Sequence, residues 1–132
     1  MYSQTQTQAL RSYESVIKAT RSGREVEAAA LTKAALKLKE CQDNWDAPER
    51  EHKLEEALKF NQRVWSIFQS ELSREDHELP KNLCLDILRL AAFIDRRIFE
   101  TMADPSPEKL DIVININSNI AAGLRESQEN SP

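Results

Sequence analysis

"KLDIVININSNIAAGLR", residues 109–125, is the stretch whose reading decides the fold. Its middle alternates like a half-buried β-strand, with Ile112, Ile114 and Ile116 apolar and Asp111, Asn115 and Asn117 polar. The alternation fails after Asn119, and no other segment offers a convincing pairing partner. A lone strand would leave its backbone donors and acceptors unsatisfied. Placed on a helix at about 100° per residue, Leu110, Val113, Ile114, Ile116, Ile120, Ala121 and Leu124 share a broad apolar side. Asp111, Asn115, Ser118 and Asn119 gather opposite. Ile, Val and Asn are mediocre helix formers, yet burial of an amphipathic face routinely overrides propensity. The segment is therefore expected to be helical.

The rest of the chain agrees. Among 132 residues there are only two glycines, and the internal prolines, Pro48, Pro80, Pro105 and Pro107, fall between long stretches of helix-favouring composition. They divide the chain into five expected helices, from about Thr7 to Ser22, Arg24 to Asn44, Pro48 to Arg74, Pro80 to Ala103 and Pro107 to Ser127. Gly23 separates the first two. Asp46 with Glu49 resembles a capping box, and Ser106 before Pro107 and Glu108 a helix start. The expected fold is all-α, a compact bundle of about five helices in one domain, 1–132, with flexible tails at about 1–6 and 127–132. A chain of this length buries enough surface to fold without staples.

Apolar stripes mark the core. The second helix carries Ala28, Leu31, Ala34, Ala35, Leu38, Cys41 and Trp45 on one side, its alanines inviting close approach of a neighbour. The third carries Leu54, Ala57, Leu58, Val64, Trp65, Phe68 and Leu72. The fourth has the broadest arc, Leu83, Ile87, Leu90, Ala91, Ile94 and Ile98 widened by Leu85, Leu88, Ala92 and Phe99, and is expected to be the most enclosed.

Several residues break these patterns. Asn61 and Asn117 fall inside the apolar arcs of the third and fifth helices, where an unpaired amide costs roughly 1–3 kcal/mol. They either satisfy each other, a carbonyl or a buried water, or mark a groove where a partner supplies the hydrogen bonds. Asp95 lies on the arc of the fourth helix, and a buried carboxylate calls for a cation. Arg24, in line with Leu31 and Leu38, is the expected partner, ahead of Arg63 and Arg96; a structural pair or an edge-exposed Asp95 is expected ahead of a catalytic carboxylate. Phe93 sits on the polar side amid Asp86, Arg89, Arg96, Arg97 and Glu100, either covered by the first helix or the N-terminal arm, or exposed as an anchor for a partner.

Composition narrows function. A net charge of −4 argues against general affinity for nucleic acid. No apolar run approaches the roughly 18 residues of a membrane span, and the opening "MYSQTQTQALRSYES" has no secretory pattern, so a cytoplasmic location is expected. Cys41 and Cys84 match no metal or redox spacing and are expected as buried free thiols. His52 and His77 lie in polar stretches and read as surface residues. No catalytic constellation, phosphate loop, cofactor or small-molecule substrate is indicated.

Four stretches together resemble the FlaF family of flagellar biosynthesis regulators: "SGREVEAAALTKAALKLKECQDNWD" from Ser22, "LEEALKFNQRVWSIFQSEL" from Leu54, "FIDRRIFE" from Phe93 and "KLDIVININSNIAAGLR" from Lys109. The N-terminal "MYSQTQTQALRSYESV" is also similar to the family's start. The resemblance implies a non-enzymatic cytoplasmic protein that supports flagellin synthesis, export and filament assembly. It would bind flagellin as a secretion chaperone and work with a second regulator, FlbT, that acts on flagellin messenger RNA. The expected mode is an amphipathic flagellin helix laid into an apolar groove, with Asn61, Trp65, Phe93, Arg96, Arg97 and Asn117 as candidate contacts chosen by face position. The alternative is post-transcriptional control of flagellin mRNA through FlbT or through direct RNA contact at Arg89, Arg96 and Arg97 beside Phe93.

Overall fold

A computed structural model describes the backbone of residues 4–77 and 79–129, with side chains described outside residues 5, 13–23 and 127–129. Its elements are α1 (Gln4–Asp43), α2 (Arg50–Leu72), α3 (Lys81–Ala103), a one-turn 3-10 helix (Pro107–Leu110) and α4 (Asp111–Glu129). No strand occurs among the described residues. The segment from 109 to 125 is helical: Pro107 opens the 3-10 turn after an extended Ser106, the Lys109 N–H bonds the Ser106 carbonyl at 3.3 Å, and α4 follows without a break.

Two boundaries differ from expectation. The first two helices are one, because a single mid-helix glycine costs only about 1 kcal/mol and Gly23 is flanked by good helix formers. At 40 residues α1 is about 60 Å long and outruns α2 and α3, each about 35 Å. Second, α2 begins at Arg50, two residues after Pro48, with Glu49 as its N-cap and no side-chain cap bond, so the Asp46–Glu49 capping box does not form. Residues 4–6 and 127–129 of the expected tails are helical; 1–3 and 130–132 lie outside the described residues.

The helices enclose the core that periodicity marked. Ala28, Leu31, Ala34, Ala35, Leu38 and Cys41 of α1 are buried, as are Leu54, Ala57, Leu58, Trp65, Phe68 and Leu72 of α2 and Leu110, Val113, Ala121 and Leu124 of the C-terminal elements. Small residues at 28, 34, 35 and 57 let α1 approach α2 and α4 closely. The α2 and α3 backbones also come close, whereas α3 and α4 do not. Trp45 is half-buried, its ring 4.3 Å from the Arg50 guanidinium.

The fourth expected helix, α3, is not the most enclosed. Only a narrow stripe, Cys84, Ile87, Ala91, Ile94, Ile98 and Thr101, is buried. Leu83, Leu85, Leu90, Phe93, Phe99 and Met102 are exposed. A broad apolar arc needs a neighbour on each flank to bury it, and α3 has a close one on one flank only.

Candidate functional site

The candidate residues divide into a buried set and a surface set. Trp65, Asn61 and Asn117 are all fully buried. The Trp65 indole Nε1–H donates to Asn117 Oδ1 at 2.8 Å, and Asn117 Nδ2 donates to Asn61 Oδ1 at 2.6 Å. This chain of donors ties α2 to α4 across the core, and an edge-to-face contact with Phe68, centroids 5.6 Å apart, holds the other side of the indole. The two amides share one hydrogen bond, which leaves Asn61 Nδ2 without an acceptor. Trp65, Asn61 and Asn117 are therefore not surface a partner can touch. Their expected role as binding contacts is corrected to one inside the core, since an indole N–H buried at this depth needs its own acceptor.

Asp95 is also corrected. It lies exposed on the flank of α3 facing α2, in a shallow cleft with Lys59, Gln62, Arg63 and Ser66. Solvent removes the demand for a buried cation on which the expected Arg24–Asp95 pair rested.

The surface set lies on the opposite flank of α3. Leu85 and Leu88 share a cleft with Leu72, and Met102 one with Leu54 and Leu58, so that side faces α2. Turning by helical geometry to the other side of the buried stripe brings up Leu83, Leu90, Phe93 and Arg97. On α4, Arg125 reaches α1, its Nε 3.6 Å from Glu25 and its Nη1 donating to Thr32 Oγ1 at 3.2 Å. The flank of α4 turned away from α1 carries Ile112, Ile116 and Ile120. The two outward flanks border the edge of the bundle where α3 and α4 stay apart. Along it Leu90 and Phe93 are each 37 % exposed and Ile112 is 39 % exposed. Ile116 and Ile120 pack partly against the core.

The polar rim of this apolar edge is nearly charge-balanced. Arg97 lays its guanidinium 5.8 Å from the Phe93 ring and pairs with Glu100 at 3.5 Å. Arg89 pairs with Asp86 at 3.2 Å, and Arg96 is exposed. Two of the three arginines thus have carboxylates on their own helix, which leaves little net positive charge for phosphate. The arrangement suits an apolar ligand with a polar margin better than a nucleic-acid backbone.

Position-by-position reading missed His77. It is half-buried, and its Nδ1 accepts the Leu79 N–H at 3.2 Å with the Cys84 thiol beside it. The only signal in the sequence was the seven-residue spacing of His77 and Cys84 across a helix start. Both cysteines are free and buried, as expected. Among the described residues no helix is long and apolar enough to cross a membrane.

The fold and this surface define a class: an all-α bundle with one apolar edge left uncovered between two helices. The family model described as "Flagellar protein FlaF" matches residues 9–124, and the chain belongs to the FlaF family of flagellar proteins. No curated protein and no solved structure matches the chain.

Proposed function

We propose that the protein binds flagellin in the cytoplasm and holds it ready for export, an amphipathic helix of flagellin lying along the edge between α3 and α4. One observation carries this reading: Leu83, Leu90 and Phe93 of α3, on the flank turned from α2, and Ile112 of α4, on the flank turned from α1, are exposed, and the two helices do not close on each other. A ligand helix placing apolar residues at i, i+3, i+4 and i+7 along this edge would meet both rows. Phe93 is the anchor, its ring stiffened by the Arg97 guanidinium, and Arg96 offers a rim contact to an acidic side chain. Family membership supports the flagellar context, and the edge supports the mode of binding.

The test uses two phenylalanines on one helix. Phe93 is on the open flank, while Phe99, 73 % exposed, is on the flank toward α2. Truncating Phe93→Ala should weaken flagellin capture about tenfold or more, equivalent to roughly 1.4 kcal/mol, with Phe99→Ala neutral. Equal effects of the two, or none from Phe93→Ala, would remove this edge as the binding surface.

A further inference from the structure

The connection between α2 and α3, away from the surface just described, brings together a thiol and an imidazole. Cys84 lies in the first turn of α3, its N–H bonded to the Pro80 carbonyl at 3.0 Å. Its Sγ is 3.8 Å from His77 Nδ1 and 3.7 Å from the Leu79 carbonyl oxygen. Because Nδ1 also accepts the Leu79 N–H, it is the nitrogen bearing the lone pair, and the proton of the neutral ring is on Nε2. The same Nδ1 lies beside the thiol and can take its proton by giving up the bond from the Leu79 N–H.

The pair also borders open space. A cleft of about 660 Å³ is lined by Cys84 and His77 together with Leu72, Arg74, Lys81 and Leu88. Cys41 supplies the contrast within the same molecule. Burial, and then the neighbouring Glu40 carboxylate, push its thiol above the ordinary value, and the cleft beside it contains no imidazole.

We propose that Cys84 is a modification site, a thiol activated by His77 for reaction with small peroxides. The Cys84 proton passes to His77 Nδ1 as the bond from the Leu79 N–H is released, and the thiolate sulfur attacks one peroxide oxygen. An S–O bond forms as the O–O bond breaks. The departing hydroxide takes the proton from the imidazolium and leaves as water, so the sulfur is oxidised to a sulfenic acid and the peroxide reduced.

The full chain, reduced and then exposed to hydrogen peroxide with a sulfenic-acid trap present, is digested and each cysteine quantified by mass spectrometry over time. Cys84 should be trapped at least about tenfold faster than Cys41. His77→Asn retains an oxygen to accept the Leu79 N–H but cannot take a proton, and should slow Cys84 by about tenfold while leaving Cys41 unchanged. Cys84 reacting no faster than Cys41, or at its full rate in His77→Asn, overturns the assignment. Should that variant fail to fold, the comparison of the two thiols in the wild-type chain decides alone.

Discussion

The Trp65 indole N–H and the Asn117 side-chain oxygen meet at 2.8 Å in the centre of the bundle, joining α2 to α4, whose backbones do not approach closely. Packing alone would tolerate small rotations of either helix. A directed bond between two fully buried groups does not, because any slip leaves a donor and an acceptor unpaired in a medium that cannot solvate them. This chain of donors therefore fixes how α4 sits, and hence where Ile112, Ile116 and Ile120 emerge.

Replacing Asn117→Leu strands both the Trp65 N–H and the Asn61 oxygen, and should cost about 2–4 kcal/mol in denaturant unfolding. Adding Asn61→Leu removes one of the stranded groups. The double variant should be at least about 1 kcal/mol more stable than the sum of the single effects implies. Simple additivity would mean the amides do not act as a unit.

On α1, Ala34 and Leu36 are two residues apart but differ in surroundings. Ala34 is fully buried at the close approach of α1 to its neighbours, while Leu36 is 63 % exposed. Enlarging Ala34→Leu should destabilise by about 1–3 kcal/mol through overpacking. Trimming Leu36→Ala should stay within about 0.5 kcal/mol. Thermal melts of the two variants check the pair, and a tolerated Ala34→Leu would contradict the close packing.

Gly123 lies in α4 with nothing near the space a methyl group would occupy. Gly123→Ala should therefore stabilise by about 0.5–1 kcal/mol, raising Tm by about 2–4 °C, because the unfolded chain loses freedom and the helix gains a better former. A lowered Tm would show that this turn of α4 is not helical in solution.

Periodicity carried far because most of the core is a matter of which side of a helix a residue lies on. It resolved the alternating isoleucines of 109–125 into a helix and placed Asn61 and Asn117 in the interior. It could not say how far a neighbour covers a flank. For that reason Asp95 could be read either as paired or as exposed at the edge of its arc, and it is exposed. Trp65 was expected at a groove and lies at the centre, while the apolar breadth of α3 was taken for enclosure when part of it faces outward. Phe93 was legible as an aromatic out of place, but the row it shares with Leu90 and Leu83 depends on where α2 packs. Gly23 shows the limit of punctuation: glycine weakens a helix without ending it. The His77–Cys84 contact is made by the path of the connection before α3, which no periodic pattern encodes.

Hydrogen exchange of the protein with and without flagellin tests the central claim most directly. Binding along the open edge should slow exchange in α3 around Leu83–Arg97 and in α4 around Ile112–Ile120, leaving α1 and α2 unchanged. Protection confined to α1 and α2, with α3 and α4 exchanging as in the free protein, would contradict it.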